Sequence, residues 1–146
     1  MDTITVVGVH RDDGGDVTVS QLVGPNVTRD RVASLLTGVK TLYTYNGARF
    51  DLVFLRSKIG LELEPSIVHE DLMYTCWRQG LYGGLKSVER CLGIERTIKD
   101  VSGLQAVALW WRYVRQHDED ALKRLLRYNA EDVLNLKVLR ERLLTD

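Results

Sequence analysis

The hydrophobic pattern of this chain begins as strand and ends as helix. Thr3 to His10 is a β-branched run, Arg11-Asp12-Asp13-Gly14-Gly15-Asp16 has turn chemistry, and Val17 to Val23 resumes the run, which predicts a β-hairpin. Thr28 is placed to cap a short helix in which Val32, Leu35 and Leu36 share a face and Gly38 closes it. Val39 to Tyr45 again reads as strand, and Asn46-Gly47 breaks it. Phe50 to Ile59, apolar at 50, 52, 53, 54, 55 and 59, predicts a mostly buried helix stopped by Gly60. A strand, then a helix, then a further strand at Ser66 to Leu72 suggests a crossover. Gly83-Gly84 separates a small helix at Met73 to Arg78 from one at Leu85 to Leu92. Ser102 to Arg115 is helical by the spacing of Leu104, Val107, Ala108, Trp111 and Val114, with Trp111 rather than Trp110 turned to the core. Asp118 to Leu144 continues that period with Leu122, Leu125, Leu126, Val133, Leu136, Leu139 and Leu143. The class is α/β, with the hairpin on one side of the sheet.

Composition narrows the picture without naming a function. A chain of 146 residues, 45% hydrophobic and 27% charged, is expected to be one compact domain with a core of its own. No apolar run reaches the ~18–20 residues of a membrane span, and Met1-Asp2-Thr3 is no signal-peptide start, so a cytoplasmic protein is the default. Cys76 and Cys91 have no zinc-ligand spacing and read as two reduced thiols. The 20 basic and 20 acidic residues cancel, which removes the broad electrostatic footprint of a protein that coats nucleic acid. A small site gripping phosphate through carboxylate-held metal ions would leave that balance untouched.

Two constellations can carry chemistry. In Tyr45-Asn46-Gly47-Ala48-Arg49-Phe50-Asp51 a strand ends, the chain turns, and an acid opens a helix, at the sheet rim where open α/β folds bind ligands. The plain alternative is a turn followed by a first-turn acid that suits the helix dipole. In Tyr128-Asn129-Ala130-Glu131-Asp132 a phenol and a carboxylate four residues apart share one helical face, and metal ligation would offset the cost of an acid beside Val133 and Leu136. The plain alternative there is a helix N-cap at Asn129 with Asp132 three residues on.

In this order and on these elements the two motifs resemble the second and third motifs of the DEDD, or DnaQ-like, 3′–5′ exonucleases of the ribonuclease H-like fold. Asp71-Leu72, Gly84-Leu85-Lys86-Ser87-Val88 and Leu92-Gly93-Ile94 are similar to the intervening segment of its YprB-type branch, so the likeness covers nearly the whole chain. Arg127 stands where one branch has histidine, and Tyr128 matches the tyrosine branch. The resemblance implies a ribonuclease H-like mixed sheet with flanking helices and a two-ion mechanism with Mg²⁺ or Mn²⁺ acting on the terminal phosphodiester. It makes Asp132 a direct ligand of one ion, lets Asp51 position the second through water, and gives Tyr128 the orientation of the attacking water. Asn46, Arg49, Phe50 and Lys86 would contact the substrate, a nucleic-acid 3′ end.

The family's first motif, an Asp-x-Glu pair on a central strand, has no match. Asp2-Thr3-Ile4 would put Ile where Glu is needed, and Asp12, Asp13 and Asp16 belong to a polar hairpin tip. A single domain over residues 1–146, incomplete at its N-terminus and lacking the first strand, is the expectation, with a start too far downstream, a strand borrowed from a second copy, or a rearranged sheet as explanations. Exposed central edges would favour a homodimer. The activity expected is metal-dependent 3′–5′ exonuclease. Its alternatives are a catalytically inactive domain that binds nucleic acid or a protein partner, and a purely structural module. Base stacking by Trp77, Trp110, Trp111 or Tyr113 is the lesser reading, as is a functional role for His10, His69 or His117.

Overall fold

A computed structural model of the chain describes residues 6–98 and 101–144. The elements run β1 (Val6–Asp12), β2 (Val17–Val23), a 3-10 turn (Gly24–Asn26), α1 (Arg29–Leu35), β3 (Thr41–Thr44), α2 (Asp51–Ile59), β4 (Val68–Asp71), α3 (Leu72–Arg78), α4 (Leu85–Cys91), α5 (Gly103–Gln116) and α6 (Glu119–Leu144). This is a mixed α/β arrangement of small sheets and flanking helices, consistent with the fold that the resemblance implies. Among the described residues, however, the hairpin β1–β2 forms one two-stranded sheet and β3–β4 another, rather than a single mixed sheet. Asp2 and the opening of the first predicted strand lie outside the described residues. The chain divides into two compact units, Met1–Val27 with Arg96–Leu134, and Thr28–Glu95 with Asn135–Asp146. No helix among the described residues is long and apolar enough to cross a membrane.

In the first unit β1 and β2 pair antiparallel, from Val6 opposite Val23 to Asp12 opposite Val17. Asp12 Oδ1 accepts the amides of Gly14 and Gly15, both at 3.1 Å, and the left-handed φ of each glycine shapes the tip. Asp12, Asp13 and Asp16 are exposed there, as their polar surroundings predict, and Asp13 pairs with Arg11 at 2.8 Å. Gly8 brings β1 close to α6, because a Cβ at that position would lie 2.2 Å from Asn129 Oδ1. Beside it Gln21 Nε2 donates to Leu126 O at 2.8 Å and to Asn129 Oδ1 at 3.0 Å, which fixes the middle of α6 on the hairpin.

The face that α5 buries is not the expected one. Its N-terminus carries a capping box between Ser102 and Gln105. Two apolar stripes follow at helical spacing, Leu104-Val107-Ala108-Trp111-Val114 and Ala106-Leu109-Trp110-Tyr113. The core of this unit, Val101, Leu109, Trp110, Ala121, Leu125 and Tyr128, takes the second stripe. Trp110 is only 6% exposed, whereas Leu104 is 85% exposed. Gly24 supplies the reason: a Cβ there would meet the Trp110 ring at 3.2 Å, so the glycine leaves room for the indole. Trp111 is half-buried against the same cluster, and Arg115 lies over its ring.

In the second unit β3 and β4 pair in parallel, Thr41 opposite Val68 through Thr44 opposite Asp71, with α2 as the connection between them. The crossover is therefore as read. Thr28 caps α1 by accepting the Arg31 amide at 3.2 Å, and Gly60, at φ 68°, ends α2. The expected burial of α2 fails, since none of its residues is buried. Leu52, Phe54, Leu55 and Ile59 are half-buried and Val53 is exposed, so one face is covered only in part. The core is Leu72, Cys76, Val88 and Ile94 closed by Leu139 and Leu143 of α6. Cys76 lies inside it and Cys91 is exposed, both as free thiols. Glu89, fully buried on α4, accepts from Asn135 Nδ2 at 2.9 Å.

Candidate active site

The turn after β3 is built around a carboxylate that the motif does not include. Asp71, buried at the end of β4, accepts the amides of Asn46 at 2.7 Å, Ala48 at 3.1 Å and Met73 at 3.1 Å. It thereby caps α3 and holds the Asn46–Ala48 turn with the same two oxygens. Asn46 itself is left-handed, at φ 62°, a conformation asparagine tolerates better than most residues. Gly47 is required by crowding, because a Cβ would come within 2.3 Å of Thr44 Oγ1. That hydroxyl also accepts the Gly47 amide at 3.2 Å and meets His69 Nε2 at 2.8 Å.

This turn delivers Asp51 to the first turn of α2, solvent-exposed at one end of the parallel pair. Surrounding protein atoms, and then the negative charge of Asp71, push its carboxyl above the usual carboxylate range, against a smaller opposing effect of His69. Next to it Phe50 is 64% exposed. Arg49 lies over the rings of Trp77 at 5.3 Å and Tyr74 at 5.9 Å, which themselves meet edge to face. Trp77 is thus a shelf for an arginine rather than a core side chain. Asn46 Oδ1 is buried without a hydrogen-bond partner among the described residues. Asn46, Arg49, Phe50 and Asp51 are together in this segment, while Lys86 stands half-buried on α4 of the same unit. Tyr45 is no acid–base candidate: its hydroxyl donates to Gly83 O at 2.6 Å, and burial, with Cys76 and Asp71 nearby, pushes its pKa up to about 12.

Tyr128 and Asp132 belong to the other unit and lie in the middle of α6, which begins at Glu119, so the N-cap alternative for Asn129 is excluded. Tyr128 is buried in the core of its unit. The Asp132 side chain is 30% exposed and accepts from a guanidinium nitrogen of Arg96, whose own side chain is 8% exposed. The Arg96 head also lies 3.5 Å from Glu131 Oε1 and over the Tyr128 ring at 5.5 Å. Glu131 secures the irregular segment after Arg96 by accepting from Thr97 N at 2.8 Å, Thr97 Oγ1 at 2.6 Å and Ile98 N at 3.0 Å. Burial pushes the Glu131 carboxyl up, but those bonds and the Arg96 charge outweigh it and hold the group below its ordinary value.

From the sequence, Asp71 stood out only as part of the intervening segment, with no role in the site, and Arg96 did not stand out. Asp71 had a signal, an acid between a strand and a helix at an N-cap position; Arg96 had none. The histidines keep to structural places: His10 is in β1, His69 bonds Thr44, and His117 ends α5 in a left-handed conformation.

The donor chemistry at Asp51 suits a hard divalent cation, because a carboxylate crowded by Asp71 gains from a neutralising charge. Asp132 already has a cation beside it. Among the described residues no group of three or more histidine, cysteine, aspartate or glutamate side chains is placed to hold a metal ion.

A domain of small α/β sheets carrying these two motifs is of the ribonuclease H-like class. The chain matches the model of the RNase H superfamily over residues 1–144 and belongs to that superfamily. No curated protein matches it, and no solved structure does. Membership supports nuclease-type activity and the binding of nucleic acid.

Proposed function

We propose that the chain is a 3′–5′ exonuclease domain of the DEDD tyrosine branch, acting on the phosphodiester at a nucleic-acid 3′ end with Mg²⁺ or Mn²⁺. The observation that carries this reading is the segment Arg49-Phe50-Asp51, where a fixed guanidinium, an exposed aromatic ring and a rim carboxylate are consecutive. Phe50 offers a face on which a terminal base stacks, Arg49 a charge for phosphate, and Lys86 a second one. Asn46 adds its amide oxygen. Asp51 would offer a carboxylate oxygen to a divalent ion, Asp132 would do so only once Arg96 leaves it, and Tyr128 would orient the attacking water. Divalent ions, when bound, favour the hydroxide form of that water and stabilise the departing 3′ oxygen.

A second reading, a domain that binds nucleic acid without cutting it, is favoured by the Arg96–Asp132 ion pair. Incubation of the chain with a 5′-labelled single-stranded oligonucleotide and Mn²⁺, beside Asp132→Asn prepared identically, decides between them. Stepwise shortening from the 3′ end that the variant loses is the expected result. Retarded migration of an intact oligonucleotide would replace the first reading with the second.

A further inference from the structure

The third-motif carboxylate is already paired with a cation from within the chain. Arg96 is held on three sides, by Asp132, by Glu131 and by the ring of Tyr128, and the backbone that follows it is tied to Glu131. A guanidinium is a permanent cation with a fixed fork of donors, so the ionised Asp132 carboxylate has its counter-charge built in. A divalent cation brought to the same oxygen would face that fixed positive charge at close range.

We propose that Arg96 is an internal counter-ion occupying Asp132 in place of a divalent cation, and that the carboxylate accepts a metal ion only when the guanidinium leaves it. The inference rests on the reading of Asp132 as a potential metal ligand and goes beyond it: Arg96 is a positioning residue that sets whether the third motif is open.

Mn²⁺ alone is the probe, with free ion followed by electron paramagnetic resonance at fixed pH and ionic strength. Four proteins are compared: the chain itself, Asp132→Asn, Arg96→Gln, and the double variant. Asp132→Asn retains an oxygen that accepts from Arg96, so its fold is kept. Its Mn²⁺ affinity should equal that of the parent within about twofold, whereas Arg96→Gln should bind Mn²⁺ about tenfold more tightly through the released carboxylate. The double variant should lose that gain. Severalfold weaker binding by Asp132→Asn, or no gain in a folded Arg96→Gln, overturns the proposal. Should Arg96→Gln fail to fold, the comparison of Asp132→Asn with the parent still decides it. Cleavage assays on the same proteins separate the two ideas. A gain of Mn²⁺ by Arg96→Gln with no cleavage anywhere retains the counter-ion and removes the nuclease reading, and loss of both binding and cleavage in Asp132→Asn does the reverse.

Discussion

Asp51 and Asp132 are the two carboxylates that the motifs single out, and their surroundings have opposite signs. Asp51 has a second acid near it, and Asp71, which supplies that charge, spends its own oxygens on three backbone amides. Asp132 has a buried arginine beside it. The contrast teaches that a motif match fixes which residue stands at a position but not what charge it must share the position with. One acid has an incentive to take up a cation and the other has been given one.

Substitutions can break that contrast from either side. The largest effect should come from Asp71→Ala, which strands three amide donors at the turn and should cost about 3 kcal/mol or more in urea unfolding. Gly47→Ala forces a Cβ onto the Thr44 side chain and should cost about 1–3 kcal/mol in the same measurement. Glu131→Gln weakens the acceptor that holds Thr97 and Ile98, for a loss of about 1 kcal/mol at neutral pH. Since the Glu131 carboxyl is held below its ordinary value, the stability it contributes is present above the usual carboxylate range and disappears as pH falls through it, so parent and variant should converge in acid. The smallest effect has the other sign. Asp51 is raised, the folded state favours its protonated form, and stability declines as pH rises through its titration. Asp51→Asn should therefore raise the thermal midpoint at neutral pH and leave it unchanged well below the carboxylate range.

Most of the elements were legible because their determinants are local. The hairpin follows from β-branched runs around Gly14-Gly15, the start of α1 from Thr28, and the end of α2 from Gly60. The face of α5 was misread because two apolar stripes satisfy the same period, and the choice between them lies in the space that distant Gly24 leaves for Trp110. For α2, the apolar count does not show how completely the face shared by Leu52, Leu55 and Ile59 is covered. Within the site, Tyr128 and Asp132 are readable at a spacing of four. The partners that set their chemistry are not: Arg96 meets Asp132 across 36 residues, and Asp71 reaches Asn46 across 25. No periodicity marks a pair so far apart in sequence.

Site-resolved Mn²⁺ titration of the chain with ¹³C-labelled aspartate side chains tests the central contrast most directly. Paramagnetic broadening should reach the Asp51 carboxyl resonance first, while that of Asp132 persists. Broadening of Asp132 at the same Mn²⁺ concentration or a lower one would show that Arg96 does not keep cations from it, and would contradict the account.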